Sequence, residues 1–108
     1  MNEQFILVLI TAPGQEAAEK IAAELLGKKL AACVNIVPSI QSIYNWKGEA
    51  QNDREVLLLA KTRASLFDEQ LVPAVKAIHP YEVPEIIALP VLMGSQSYLD
   101  WIAAETAA

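Results

Sequence analysis

Three stretches of this chain are apolar at every position: Phe5–Ile10, Val56–Ala60 and Ile86–Leu89. Each is short and reads as a strand buried on both sides. An antiparallel strand with one face in water alternates apolar and polar residues, and these do not alternate. Any sheet built from them needs cover on both faces, and that requirement constrains everything that follows.

Between these runs the pattern turns helical. From Gln15 to Lys29, Ala18, Ile21, Ala22, Leu25 and Leu26 recur at helical spacing, with Glu16, Glu19, Lys20 and Glu24 opposite. Pro13 and Gly14 separate this helix from the first strand. Residues 32–47 read as a long strand in which Pro38 marks a bend or an edge position. Beyond it Ile40, Ser42, Tyr44 and Trp46 share one face, and Lys47-Gly48-Glu49 reads as a turn. Residues 54–62 give a third strand. Ser65-Leu66-Phe67-Asp68 has the form of a capping box opening a second helix, apolar at Phe67, Leu71, Ala74, Val75 and Ile78. Pro73 should kink that helix, and Pro80 should end it. Residues 85–91 form a fourth strand. A short helix after Gly94 carries Tyr98, Leu99 and Ile102 on one side.

The order β-α-β-β-α-β plus a last helix predicts an α+β fold, the ferredoxin-like sandwich, in a single domain over residues 1–108. Two helices cover one face of such a sheet. The other would leave an apolar patch in water, which monomers rarely tolerate. The expectation is that further copies of the chain cover it. The alternative is that the C-terminal helix alone folds across it.

Composition narrows the partners. Hydrophobic residues make up 54% of the chain and charged residues 19%, more apolar than a small monomer needs. The net charge of −5 argues against nucleic acid and against an anionic membrane surface. Aliphatic residues on the open sheet face also exclude the RNA-binding version of this topology, which needs aromatic and basic residues there. The single cysteine, Cys33, demands no oxidising compartment. The first apolar run lacks a basic flank and is too short to span a bilayer, so a cytoplasmic protein is expected.

Several segments then point to a family. Ala31-Ala32-Cys33-Val34-Asn35 follows the first helix. Ser42-Ile43-Tyr44-Asn45-Trp46-Lys47-Gly48 lies in the long hairpin. Ile78-His79-Pro80-Tyr81-Glu82-Val83-Pro84-Glu85-Ile86 closes the second helix. With Glu55 and Lys61 on one strand and Tyr98-Leu99-Asp100-Trp101 near the end, these segments resemble the CutA (divalent-cation-tolerance) family over about residues 5–102. The resemblance implies a homotrimer with sheets packed around a threefold axis. It implies a link to divalent metals, copper above all, and no enzymatic activity or organic cofactor. It also implies a likeness to PII-type signalling trimers, which bind small effectors between subunits. In family members linked to metal, an extra cysteine in the first strand or a second histidine before the His-Pro pair is common; here those positions are Ile10 and Ile78.

The residue types offer two chemistries. His79, the only histidine, and Cys33 are ligands suited to copper, and Glu82 and Glu85 supply hard oxygen donors. For each there is a structural alternative: a helix cap for His79, a core position for Cys33, and ion pairs with Lys61 or Arg63 for the two glutamates. The second chemistry is a small-molecule cleft lined by Trp46, Lys61, His79, Tyr81 and Glu85. Tyr44 and Trp46 also suit a subunit interface. No phosphate loop, nucleophile pattern or zinc-ligand spacing is present.

Overall fold

The structure is a computed structural model that describes residues 3–107. The elements are β1 (Phe5–Ala12), α1 (Gln15–Gly27), β2 (Cys33–Trp46) and β3 (Glu49–Arg63), then α2 (Val72–Ile78), β4 (Ile86–Pro90) and α3 (Gln96–Glu105). The four strands form one antiparallel sheet in the order β2-β3-β1-β4. Both hairpin-forming β2 and short β4 are therefore edge strands.

Strand parity sorts the apolar runs into two faces. Ile6, Val8, Ile10 and Ala12 of β1 and Val56, Leu58 and Ala60 of β3 are buried. They pack with Ala18, Ile21 and Leu25 of α1 and with Leu71, Ala74 and Val75 beside them. Each fully buried Ile or Leu there contributes about 1.5–3 kcal/mol. Leu7, Leu9, Leu57 and Leu59 point the other way and are half-buried, while Ile87 and Leu89 of β4 are half-exposed. This second, aliphatic face lies open across the middle of the sheet. Helix α3 covers only its Arg63 end, where Arg63 Nε donates to Thr106 Oγ1 at 2.8 Å and Nη2 donates to the Ala103 carbonyl. The C-terminal helix does not fold across the whole face.

Three local features differ from the sequence reading. The capping box is not formed: Ala64–Leu66 is a 3-10 turn entered from Arg63 with no side-chain cap. Phe67–Leu71 follows as a π turn, and Val72 N–H reaches back to the Phe67 carbonyl. Pro73 falls in the first turn of α2, where an N–H has no partner within the helix in any case, so it does not kink α2. Helix α1 ends two residues early, at Gly27, because Lys29 adopts a left-handed φ of 57°. Lys29 N–H bonds to Leu26 O and Leu30 N–H to Leu25 O, a Schellman closure with Leu25 and Leu30 both buried.

Of the bend or edge position expected at Pro38, the edge position holds. It lies on an edge strand, and the register slips by one residue between Val37 and Ile40. That bulge reverses the parity of β2. Without it Gln41, Ile43 and Asn45 would face the open side; with it Ile40, Ser42, Tyr44 and Trp46 do, opposite Glu55, Asp53, Gln51 and Glu49. The hairpin turns at Lys47 (φ 52°) and Gly48 (φ 82°), two left-handed residues as a type I′ turn requires.

Candidate functional site: an acidic aromatic cleft

A cleft of about 550 Å³ opens where the β2–β3 hairpin leaves the sheet and the segment after α2 passes beneath it. Tyr44 and Trp46 come from the hairpin, Glu55 from β3 and Thr11 from the end of β1. Pro80 to Val83 and Glu85 form the remaining wall. The bulge in β2 brings the two hairpin aromatics to this side. The rigid Pro80 and Pro84 brace the wall.

His79 fastens that wall to the sheet. Its backbone N–H closes α2 on Val75 O, and its ring lies buried between β1 and the loop. Tyr81 N–H donates to Nδ1 at 3.0 Å, so Nδ1 carries the lone pair. Nε2 then carries the proton and donates to the Thr11 carbonyl at 2.7 Å. Both nitrogens are engaged within the chain.

Tyr81 extends the network into the cleft. Its hydroxyl donates to Glu55 Oε2 at 2.8 Å, and its ring tilts against His79 with centroids 5.0 Å apart. Burial, and then the bond to the Glu55 carboxylate, push the Tyr81 phenol well above its ordinary value. Tyr44 on the exposed hairpin donates to Asp53 Oδ2 at 2.5 Å, and that bond raises its phenol also. Glu55 is only 7% exposed, and among the described residues no Lys or Arg forms an ion pair with it.

The residues singled out from the sequence divide between this cleft and other places. Trp46, Tyr81, Glu82, Glu85 and Tyr44 line it. His79 stands behind its wall. Cys33 and Lys61 lie elsewhere: they are cross-strand partners, with Nζ 4.0 Å from Sγ and bonded to Asn35. Lys61 is six residues from Glu55 along β3, roughly 20 Å at strand rise. Arg63 pairs with Glu3 rather than with Glu82 or Glu85. Among the described residues no three of His, Cys, Asp and Glu come together as a metal site. Glu55, Asp53 and Thr11 belong to the site and were not predicted. An acid in a strand otherwise apolar was the available signal for Glu55.

The family model described as CutA1 divalent ion tolerance protein matches residues 6–105. The chain belongs to the CutA1 divalent ion tolerance family. It is 53% identical over 100 residues to the divalent-cation tolerance protein CutA of Thermus thermophilus, covering 93% of this chain and 96% of that one. It is 52% identical over 101 residues to the chloroplastic CutA protein of Arabidopsis thaliana, covering 94% of this chain and 55% of that one. The chain thus spans about half the length of the plant relative. The crystal structure of CutA1 from Oryza sativa superposes with a TM-score of 0.92 at 49% identity, covering 96% of this chain and 94% of that one. The CutA1 fold therefore extends through the hairpin and the His79–Glu85 segment, which supply most of the cleft. The name of the Thermus thermophilus relative and the description of the family model speak of tolerance of divalent ions rather than of a reaction.

Proposed function

We propose that this chain confers tolerance of divalent cations as a cytoplasmic homotrimer, binding copper or another divalent ion at sites between subunits. The subunits would be ferredoxin-like and would pack their sheets around a threefold axis. The family assignment supports the cation, and the open face of Leu7, Leu9, Leu57, Leu59, Ile87 and Leu89 supports the assembly.

The single observation that carries the metal reading is the state of Glu82 and Glu85. Both are exposed at the cleft wall, and among the described residues neither forms an ion pair. Two carboxylates in one subunit hold a metal weakly, and a neighbouring subunit must complete the set. That is why the site is placed between subunits. His79 has both nitrogens engaged, and Cys33 sits beside Lys61, so either would join the metal only by exchanging its present partners. Among first-row divalent ions a given set of carboxylate ligands holds copper(II) most tightly, which is why copper is the ion to test.

Titration calorimetry of the assembled, metal-free protein with copper(II) tests this reading. The double variant Glu82→Gln/Glu85→Gln should lose about tenfold or more in affinity, roughly 1.4 kcal/mol. Unchanged affinity would remove the carboxylates from the site.

A further inference from the structure

The ring of His79 has no nitrogen to spare. Nδ1 accepts from Tyr81 N–H at 3.0 Å, and Nε2 donates to the Thr11 carbonyl at 2.7 Å. The residue is 8% exposed and both partners lie in its own chain, so copies packed outside it can only bury it further. A bond to a metal needs a ring nitrogen lone pair pointed at the ion. The lone pair available in the plane of this ring is spent on Tyr81. Giving it to an ion would release the Tyr81 N–H, and turning Nε2 to an ion would strip its proton and release the Thr11 carbonyl.

What these two bonds hold is a segment without regular structure of its own. Residues 79–85 belong to neither a helix nor a strand. Helix α2 ends as His79 N–H bonds to Val75 O, and Pro80 then favours the extended conformation that His79 adopts, φ −77° and ψ 134°. From there the ring ties the segment to the end of β1 through Thr11 and fixes its first residues through the Tyr81 amide. Glu82 follows that amide directly, and Glu85 follows the rigid Pro84. A fixed Tyr81 amide therefore sets the direction in which both carboxylates leave the wall. Groups that orient metal ligands contribute to affinity without touching the ion. We infer that His79 is a positioning residue for the Glu82 and Glu85 carboxylates and not itself a ligand: its Nε2–H tautomer bridges Thr11 and Tyr81, and that bridge sets where the two carboxylates stand. The inference rests on the metal reading above for what the segment carries, and on the hydrogen bonds alone for how the segment is held.

The test has a metal-free arm and a copper arm, both on the assembled full chain without an affinity tag. In chelator, long-range proton–nitrogen NMR of the His79 ring should show a protonated Nε2 and a bare Nδ1. The Tyr81 amide should exchange about tenfold faster in His79→Ala than in wild type. The other tautomer, or equal exchange, would overturn the proposal. In the second arm the probe is copper(II) alone. His79 is the only histidine, so imidazole nitrogen coupling in the electron spin echo of bound copper has a single source. The expected spectrum lacks that coupling, and copper(II) affinity falls about tenfold in His79→Ala. Imidazole coupling in wild type would make His79 a ligand and overturn the proposal, as would full affinity in the variant. The tautomer and the spin echo are read on wild type, so they decide the matter even where His79→Ala does not fold. Absence of copper binding in wild type would overturn the metal reading, and the metal-free arm would still decide this one.

Discussion

At the scale of single residues, the most informative group is the Tyr81 phenol. In the unfolded chain a tyrosine ionises near pH ~10. Burial and the Glu55 carboxylate oppose that ionisation in the folded state and raise the value. The sign follows by linkage: this stabilisation is complete below pH about 10 and is lost as pH rises above it through the folded value. Unfolding followed across alkaline pH should show stability falling in wild type and falling less steeply in Tyr81→Phe. Equal slopes would mean that the phenol is solvated. Thr62 makes a second residue-level case. Its side chain is fully buried on the helix-covered face of β3, and its Oγ1 finds no hydrogen-bond partner among the described residues. An unpaired buried hydroxyl costs about 1–3 kcal/mol, so Thr62→Val should raise the thermal midpoint at fixed protein concentration. A drop would show that the hydroxyl has a partner in the assembled protein.

At the scale of elements, backbone geometry accounts for the boundaries. Lys29 holds a left-handed conformation that costs an L-residue about 1–2 kcal/mol, at the position where helices most often place glycine. Lys29→Gly should stabilise the protein by about 1 kcal/mol in thermal unfolding, unless the Lys29 side chain makes a contact in the assembly that offsets the gain. The element order was legible because long periodic segments announce themselves: the apolar runs and the α1 stripe could be read directly. Their ends were not. The stop of α1 depends on a conformation adopted by lysine, which sequence preference assigns to glycine. The failed capping box at Ser65 follows from the strand running on into a 3-10 turn, which no four-residue motif reveals. The site was legible in part for the same reason. Ile40, Ser42, Tyr44 and Trp46 were read as sharing a face, but which face depends on one extra residue between Val37 and Ile40. Glu55 is buried by Tyr81, 26 positions away, and only the fold brings the two together. Lys61 looked like part of the cleft because a cation on an otherwise apolar strand wants a carboxylate or an anionic ligand, yet it bonds Asn35 and lies out of reach of the cleft along β3.

At the scale of the whole molecule, the chain is elongated, 45 × 25 × 24 Å, with the β2–β3 hairpin projecting beyond the sheet. Apolar side chains are exposed at Ile43, Tyr44 and Trp46 on the hairpin and at Ile87 and Leu89 on β4. Both edge strands of the sheet carry such residues. A single helix, α3, shields one end of the open face. This distribution motivates the trimer, and the unpaired carboxylates at the cleft wall motivate a cation that no single subunit can hold firmly. Native mass spectrometry of protein purified without affinity metal, then supplied with copper(II), tests both parts together. The account predicts a trimer that takes up one ion per intersubunit site, with uptake lost in Glu82→Gln/Glu85→Gln while the trimer persists. A monomer, or a trimer that takes up no ion, would contradict it.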